Sequence, residues 1–151
     1  MTTTIRTHID IGAPPGDVAA VILDASKAAL WTADLERFEV VTGTPGLVGS
    51  KARLHYIQNG RRYTMEDELL EVEPNRRYLS RVSGDALVAE VETRLTPSAG
   101  GTRVDVRWSG KARPFMLRLM LPFLRGAIAR QALGDLVKLK QIVEAPGEKA
   151  G

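Results

Sequence analysis

Apolar and polar positions follow two periods along the chain, and the change falls near Gly110. Before it, apolar residues mostly alternate, as in strands with one buried face; after it they recur at helical spacing. Ile5, Ile9 and Ile11 share one parity, which predicts a first strand over Thr3 to Ile11. Ala13-Pro14-Pro15 ends it. Pro15 or a neighbour opens a helix, because a first-turn proline gives up no needed hydrogen bond. Val18, Val21 and Ile22 form the apolar face of this short helix, over Asp17 to Leu23. Asp24-Ala25-Ser26 caps a second one, running to about Trp31. A strand over Phe38 to Thr42 follows, and Gly43, Pro45, Gly46 and Gly49 separate it from the next.

Turn chemistry and charge then set registers. Asn59-Gly60 suits a type I′ turn, which needs positive φ at both central residues. It pairs Gln58 with Arg61, Tyr56 with Tyr63, Leu54 with Met65 and Ala52 with Asp67. On the other face it sets Arg53 against Glu66 and Lys51 against Glu68. A Gly84-Asp85 turn pairs Tyr78 with Val91, Ser80 with Ala89 and Val82 with Leu87. In the last hairpin, unlike charges meet when Glu92 faces Arg107 and Arg94 faces Asp105. Leu95, Thr93 and Val91 then face Val104, Val106 and Trp108. A two-residue slip would oppose like charges. The result is an antiparallel meander with one apolar and one charged face.

Beyond Gly110, Leu117, Leu121, Leu124, Ile128, Leu136, Leu139 and Val143 predict a long C-terminal helix, which Pro122 should kink. Pro146-Gly147 ends it, so residues 1–145 read as one domain and 146–151 as a flexible tail. The order is strand, two short helices, six strands, long helix. Only that helix is long enough to cover the apolar sheet face. The fold class is therefore α+β, with a curved antiparallel sheet of about seven strands around the helix. Such an arrangement leaves a concave apolar space suited to a small ligand.

Composition narrows the chemistry. The 151 residues include no Cys, which excludes disulfides, a thiolate nucleophile, Cys-ligated zinc and iron–sulfur sites. His8 and His55 have the parity of the charged face and make a poor metal pair, so neither metal nor cofactor is expected. Ser80 and Thr93 have no His base nearby, so a Ser-His-Asp triad fails. Gly43, Gly46 and Gly49 precede no helix and form no dinucleotide loop. The N-terminus lacks a signal-peptide pattern, so a cytoplasmic chain is expected. The formal charge is +3, but residues 1–110 carry 13 basic and 15 acidic side chains and residues 111–151 carry 8 and 3. The basic character therefore belongs to the C-terminal segment. It is not interleaved with stacking aromatics, so nucleic acid is not expected as a partner. An anionic ligand, a membrane surface or plain solvation remain as readings.

Several stretches carry a family resemblance. IDIGAPPGDVAAVILDASKAALW, VVTGTPGLVGSKARL, EDELLEVEPNRRYLSRVSG and VETRLTPSAGGTRVDVRW resemble the SRPBCC superfamily. This is the helix-grip fold of START lipid-transfer domains, the birch pollen allergen and polyketide cyclase/dehydrase-like proteins. The resemblance implies that fold and a hydrophobic ligand in the cavity. It is poorly specific for function, because the family includes carriers, receptors, cyclases and hydrolases. Where the family commonly has an aromatic after the first-helix Val, this chain has Val18-Ala19.

The predicted inward residues are the candidate ligand contacts. On the sheet they are Leu54, Tyr56, Tyr63, Met65, Asp67, Leu69, Tyr78, Ser80, Val91, Thr93, Val106 and Trp108. Trp31, Met116, Met120 and Phe123 come from the helical segments. In the resembled family, a Trp at the position of Trp31 packs near the cavity mouth. Residues 115–125 can line the cavity, form a homodimer contact or touch a membrane surface. Asp67 is the one candidate catalytic residue. A carboxylate facing inward without a cation has a raised pKa, which suits a general acid or base, with Tyr56, Tyr63 or Tyr78 as partner. The alternative is a structural carboxylate, turned outward by a bulge or satisfied by Arg or Tyr. The expected function is binding or transport of a hydrophobic small molecule such as a lipid, polyketide or aromatic metabolite. The alternatives are a cyclase/dehydratase using Asp67 and a Tyr, or a regulatory or membrane-surface module using the basic helix.

Overall fold

The structure, a computed structural model, describes residues 2–112 and 124–145. Strand β1 spans Thr3–Ile11. Helix α1, Pro15–Ile22, opens with Pro15 in its first turn. A 3-10 turn, Ala25–Lys27, leads into α2, Ala28–Trp31. The Asp24 carboxylate accepts the Ser26 backbone N–H at 3.0 Å, so the predicted cap forms. Six strands follow: β2 Leu35–Thr42, β3 Lys51–Gln58, β4 Arg61–Glu73, β5 Arg77–Ser83, β6 Leu87–Ser98 and β7 Gly101–Ala112. Helix α3 spans Arg125–Glu144. The predicted helix over Leu117 and Leu121 and its kink at Pro122 lie outside the described residues, as does the tail at 146–151. Strand β2 starts three residues earlier than its apolar pattern indicated, because Leu35 joins the pairing with β3.

The seven strands form one sheet in the order β1-β7-β6-β5-β4-β3-β2, every described pair antiparallel. Together with α3 this is the helix-grip arrangement. Asn59 and Gly60 both take positive φ, 52° and 80°, as a type I′ turn requires. The β3–β4 register follows from that turn: Gln58 faces Arg61, Tyr56 faces Tyr63 and Ala52 faces Asp67. The β6–β7 register is the charge-matched one, with Glu92 opposite Arg107 and Arg94 opposite Asp105.

The β5–β6 register differs from the expected one by two residues. Tyr78 faces Thr93, Ser80 faces Val91 and Val82 faces Ala89. Gly84 donates its N–H to the Leu87 carbonyl at 2.8 Å, which moves the loop tip to Asp85-Ala86. This register sets Arg81 against Glu90; the expected one would have set Arg81 against Val88. A slip by two keeps every side chain on its own face, so the lining is unchanged.

Two apolar clusters cover the concave side. The first joins α1, α3 and one end of the sheet through Val18, Leu69, Tyr78, Leu95, Val104, Leu136 and Leu139. The second joins Ala28, Leu35 and Leu54, with Phe38, Tyr56, Met65 and Val82 packed against it. The end of α3 is tied to β1: the Glu144 carboxylate accepts the Gly12 N–H at 2.7 Å, and Lys140 donates to the Asp10 carbonyl at 2.9 Å.

The convex face carries the charges. Arg53 and Glu66 pair at 2.9 Å, as their register predicts. Glu92 is buried and gathers three guanidiniums, Arg77 at 2.7 Å, Arg94 at 3.0 Å and Arg107 at 3.8 Å. Asp105 pairs with Arg103 at 3.1 Å instead of its cross-strand neighbour Arg94. His55 lies on this face and bonds Glu39 at 2.8 Å, and His8 is exposed.

Candidate functional site

The registers arrange the concave face in rows. Ala52, Asp67, Val82, Ala89 and Gly110 lie side by side in one row, which carries little side-chain volume. The next row holds Leu69, Ser80, Val91, Trp108 and Ile5. Tyr78, Thr93, Val106 and Thr7 form a third. Ser80, Val91, Thr93, Val106 and Trp108 all remain partly exposed in the middle of the sheet. The two core clusters therefore leave a lining between them.

Within that lining stands one polar pair. Asp67 accepts a hydrogen bond from the Ser80 hydroxyl. Burial pushes the Asp67 carboxyl up to about 6, and the Ser80 bond draws it only partly back. The β4 bulge falls between Leu69 and Glu71, beyond Asp67, so it does not turn the carboxylate outward. Among the described residues Asp67 forms no ion pair. A carboxyl of this kind exchanges a proton near neutral pH, so it can either donate to or accept from a ligand.

Tyr56 extends the polar lining toward the hairpin end. Its ring stacks on Tyr63, centroids 5.1 Å apart and 12° between planes. Burial raises the Tyr56 hydroxyl's pKa, helped by Tyr63, Asp67, Asp135 and Asp34, so Tyr56 stays protonated and can donate. Tyr63 keeps its predicted face but is 42% exposed, a rim position rather than an enclosed one. Leu54, Leu69 and Tyr78 are buried within the packed clusters. The Tyr78 hydroxyl accepts the Asn75 N–H at 3.0 Å, a structural bond. Met65 is partly exposed beside the second cluster. Trp31 closes α2 and packs against the first cluster, and its indole Nε1 is buried without a partner. Met116, Met120 and Phe123 lie outside the described residues.

Asp135 was not among the sequence candidates. Its carboxylate, on α3, accepts the Ala33 N–H at 3.0 Å and ties the loop after α2 to the long helix. Burial raises its pKa, with the Ala33 bond opposing. The available signal was that Asp135 is the single acid between Lys111 and Lys140. A separate groove of about 320 Å³ lies on the charged side, lined by Arg6, Glu92, Arg94, Asp105 and Arg107 among others. It is remote in kind from the apolar concave lining.

Comparison with known proteins agrees with this architecture. A family model described as polyketide cyclase / dehydrase and lipid transport matches residues 2–144. The fold is similar to that of an aromatase/cyclase, ZhuI, from a Streptomyces species, at a TM-score of 0.81 and 18% identity, covering 100% of this chain and 99% of that one. It is similar to the di-domain ARO/CYC StfQ of the steffimycin biosynthetic pathway, at a TM-score of 0.79 and 14% identity, covering 100% of this chain and 52% of that longer one. It is also similar to Ara h 8.0201, at a TM-score of 0.74 and 14% identity, covering 95% and 98%. A search of curated proteins finds no match. With its seven-stranded sheet, its long C-terminal helix and a family match over nearly its whole length, this chain belongs to the polyketide cyclase / dehydrase and lipid transport family.

Proposed function

We propose that the protein binds or carries a hydrophobic small molecule, such as a lipid, polyketide or other aromatic metabolite, on the concave face between sheet and C-terminal helix. The observation that carries this reading is the partly exposed lining of Val91, Val106 and Trp108 around one uncharged-prone pair, Asp67 and Ser80. An apolar wall with a few convergent polar groups is the usual make-up of a ligand site. No helix among the described residues is long and apolar enough to cross a membrane, and the reading assumes a cytoplasmic protein. The basic excess of residues 111–151 favours an anionic group on the ligand or a brief contact with a lipid surface. Solvent extraction of the purified protein followed by mass spectrometry, together with thermal shift by apolar probes, tests it. A co-purified apolar compound or a probe-induced rise in Tm is expected; neither appearing would overturn it.

The acidity of Asp67 favours a second reading, a cyclase or dehydratase on a polyketide-like substrate. Asp67 would shuttle the proton and Tyr56 would hydrogen-bond the reacting oxygen. The family's description, and the aromatase/cyclases among the proteins of similar fold, support this reading. In an assay with an aromatic polyketide substrate, Asp67→Asn should abolish turnover while binding persists; undiminished turnover would remove the mechanism.

A further inference from the structure

Trp31 ends α2, and its ring packs against the first core cluster, as Val72 and Val106 of the sheet also do. The side chain therefore lies on the concave side. An indole N–H can only donate, and a buried one ordinarily finds an acceptor. Trp31 Nε1 is buried and has none. Other buried polar groups in the same region are satisfied. The Thr102 hydroxyl donates to the Ala13 carbonyl at 2.7 Å, and the Tyr78 hydroxyl accepts the Asn75 N–H at 3.0 Å. The orphan is thus specific to Trp31 among the described residues.

The backbone around it is held firmly. Thr32 donates its N–H to the Ala28 carbonyl at 3.1 Å, Leu35 donates to the Thr32 carbonyl at 3.3 Å, and the Ala33 N–H reaches Asp135 at 3.0 Å. The indole cannot readily swing toward another acceptor while both the turn and α3 hold its base. A fixed, dry, unpaired donor beside an apolar lining selects for a ligand oxygen and against a plain hydrocarbon. The reason is that the bond is strong where water is excluded, and an unmade one is costly.

Resting on the proposed hydrophobic-ligand function, we propose that the Trp31 indole N–H is a specificity-determining donor that reads a carbonyl oxygen on the ligand. The ligand class this fits is an apolar ketone, quinone or ester. Asp67 and Ser80 supply the second polar contact, on the sheet side.

A matched pair of probes tests this: acetonaphthone carries the carbonyl, and ethylnaphthalene has nearly the same shape without it. Trp31→Phe keeps an aromatic ring and removes the N–H. It should weaken acetonaphthone binding about tenfold, equivalent to about 1.4 kcal/mol, and change ethylnaphthalene binding less than about twofold. In the unmodified protein the Trp31 indole N–H proton resonance should move downfield with acetonaphthone and stay in place with ethylnaphthalene. A Trp108→Phe variant assigns that resonance, so the spectrum decides the matter even if Trp31→Phe fails to fold. Equal weakening of both probes, or an unmoved resonance with bound acetonaphthone, would overturn the role of Trp31 and leave the ligand-binding reading standing. If neither probe binds the unmodified protein, that reading falls as well, and the inference with it.

Discussion

At the residue scale, Asp67 shows how burial converts an ordinary carboxylate into a proton-exchanging group. Its pKa rises from 3.8 to about 6 because the lining desolvates the charged form, and the Ser80 hydroxyl returns only part of that loss. The unfolded chain therefore ionises this group more easily than the folded one. Asp67 costs nothing at pH below its unfolded pKa, and its cost grows as pH rises through the interval up to about 6. Above that the cost is constant, on the order of 3 kcal/mol at 1.36 kcal/mol per pKa unit. Urea unfolding of Asp67→Asn should accordingly match the unmodified protein near pH ~3.5 and exceed it by roughly 2–3 kcal/mol near pH ~7. A difference that does not change with pH would contradict a desolvated Asp67. The inward position was readable from Asn59-Gly60 and the alternation of β4. The bond from Ser80 was not, because the β4–β5 register depends on the bulge beyond Leu69.

At the scale of elements, the two faces of the sheet impose opposite demands. On the convex face, burial alone would raise the pKa of Glu92, but hydrogen bonds from Arg94 and Arg77 and the charge of Arg107 outweigh it and lower the net value. Replacing Glu92 by Gln leaves three guanidiniums without their shared counter-charge, and Arg77 is itself mostly buried. The cost should be about 3 kcal/mol by denaturant unfolding at neutral pH. Here the unmodified protein's advantage shrinks as pH falls below the 4.5 of an ordinary Glu, opposite in sense to Asp67. On the concave face, a Cβ at Gly110 would run into the ring of Trp108, which lies along the strand over it. Gly110→Val should therefore displace Trp108 and destabilise β7 by about 1–3 kcal/mol, with a shift in Trp108 fluorescence as the readout. An unchanged emission spectrum would show that the ring does not depend on that glycine.

At the scale of the whole molecule, the split core is what makes room for function. Leu95 and Val104 are closed off under α1 and α3, while Val91 and Trp108 on the same strands stay partly exposed. A ligand seated there binds only the folded state. At a hundredfold excess over its Kd it should stabilise the protein by about 2.7 kcal/mol, which for a chain of this size raises Tm by roughly 5–10 °C. Differential scanning calorimetry with an added apolar ligand checks this, and an unchanged Tm would show that the ligand does not bind the folded state selectively.

The amino-acid sequence alone determined what depends on neighbours along the chain and across one turn. The parity of each strand, the type I′ hairpin at Asn59-Gly60, the Asp24 cap and the charge-matched β6–β7 register all follow from local chemistry and a period of two. Tertiary structure decided what depends on distant partners. The β5–β6 slip preserves every face and is therefore invisible to hydrophobic patterning. The gathering of three arginines on Glu92 requires the β5–β6 and β6–β7 registers together, and the tie from Asp135 to Ala33 and the orphaned indole of Trp31 require a particular packing of the helical segments. Periodicity states which face of an element is apolar, but which side chain meets which is settled only when the elements close on one another.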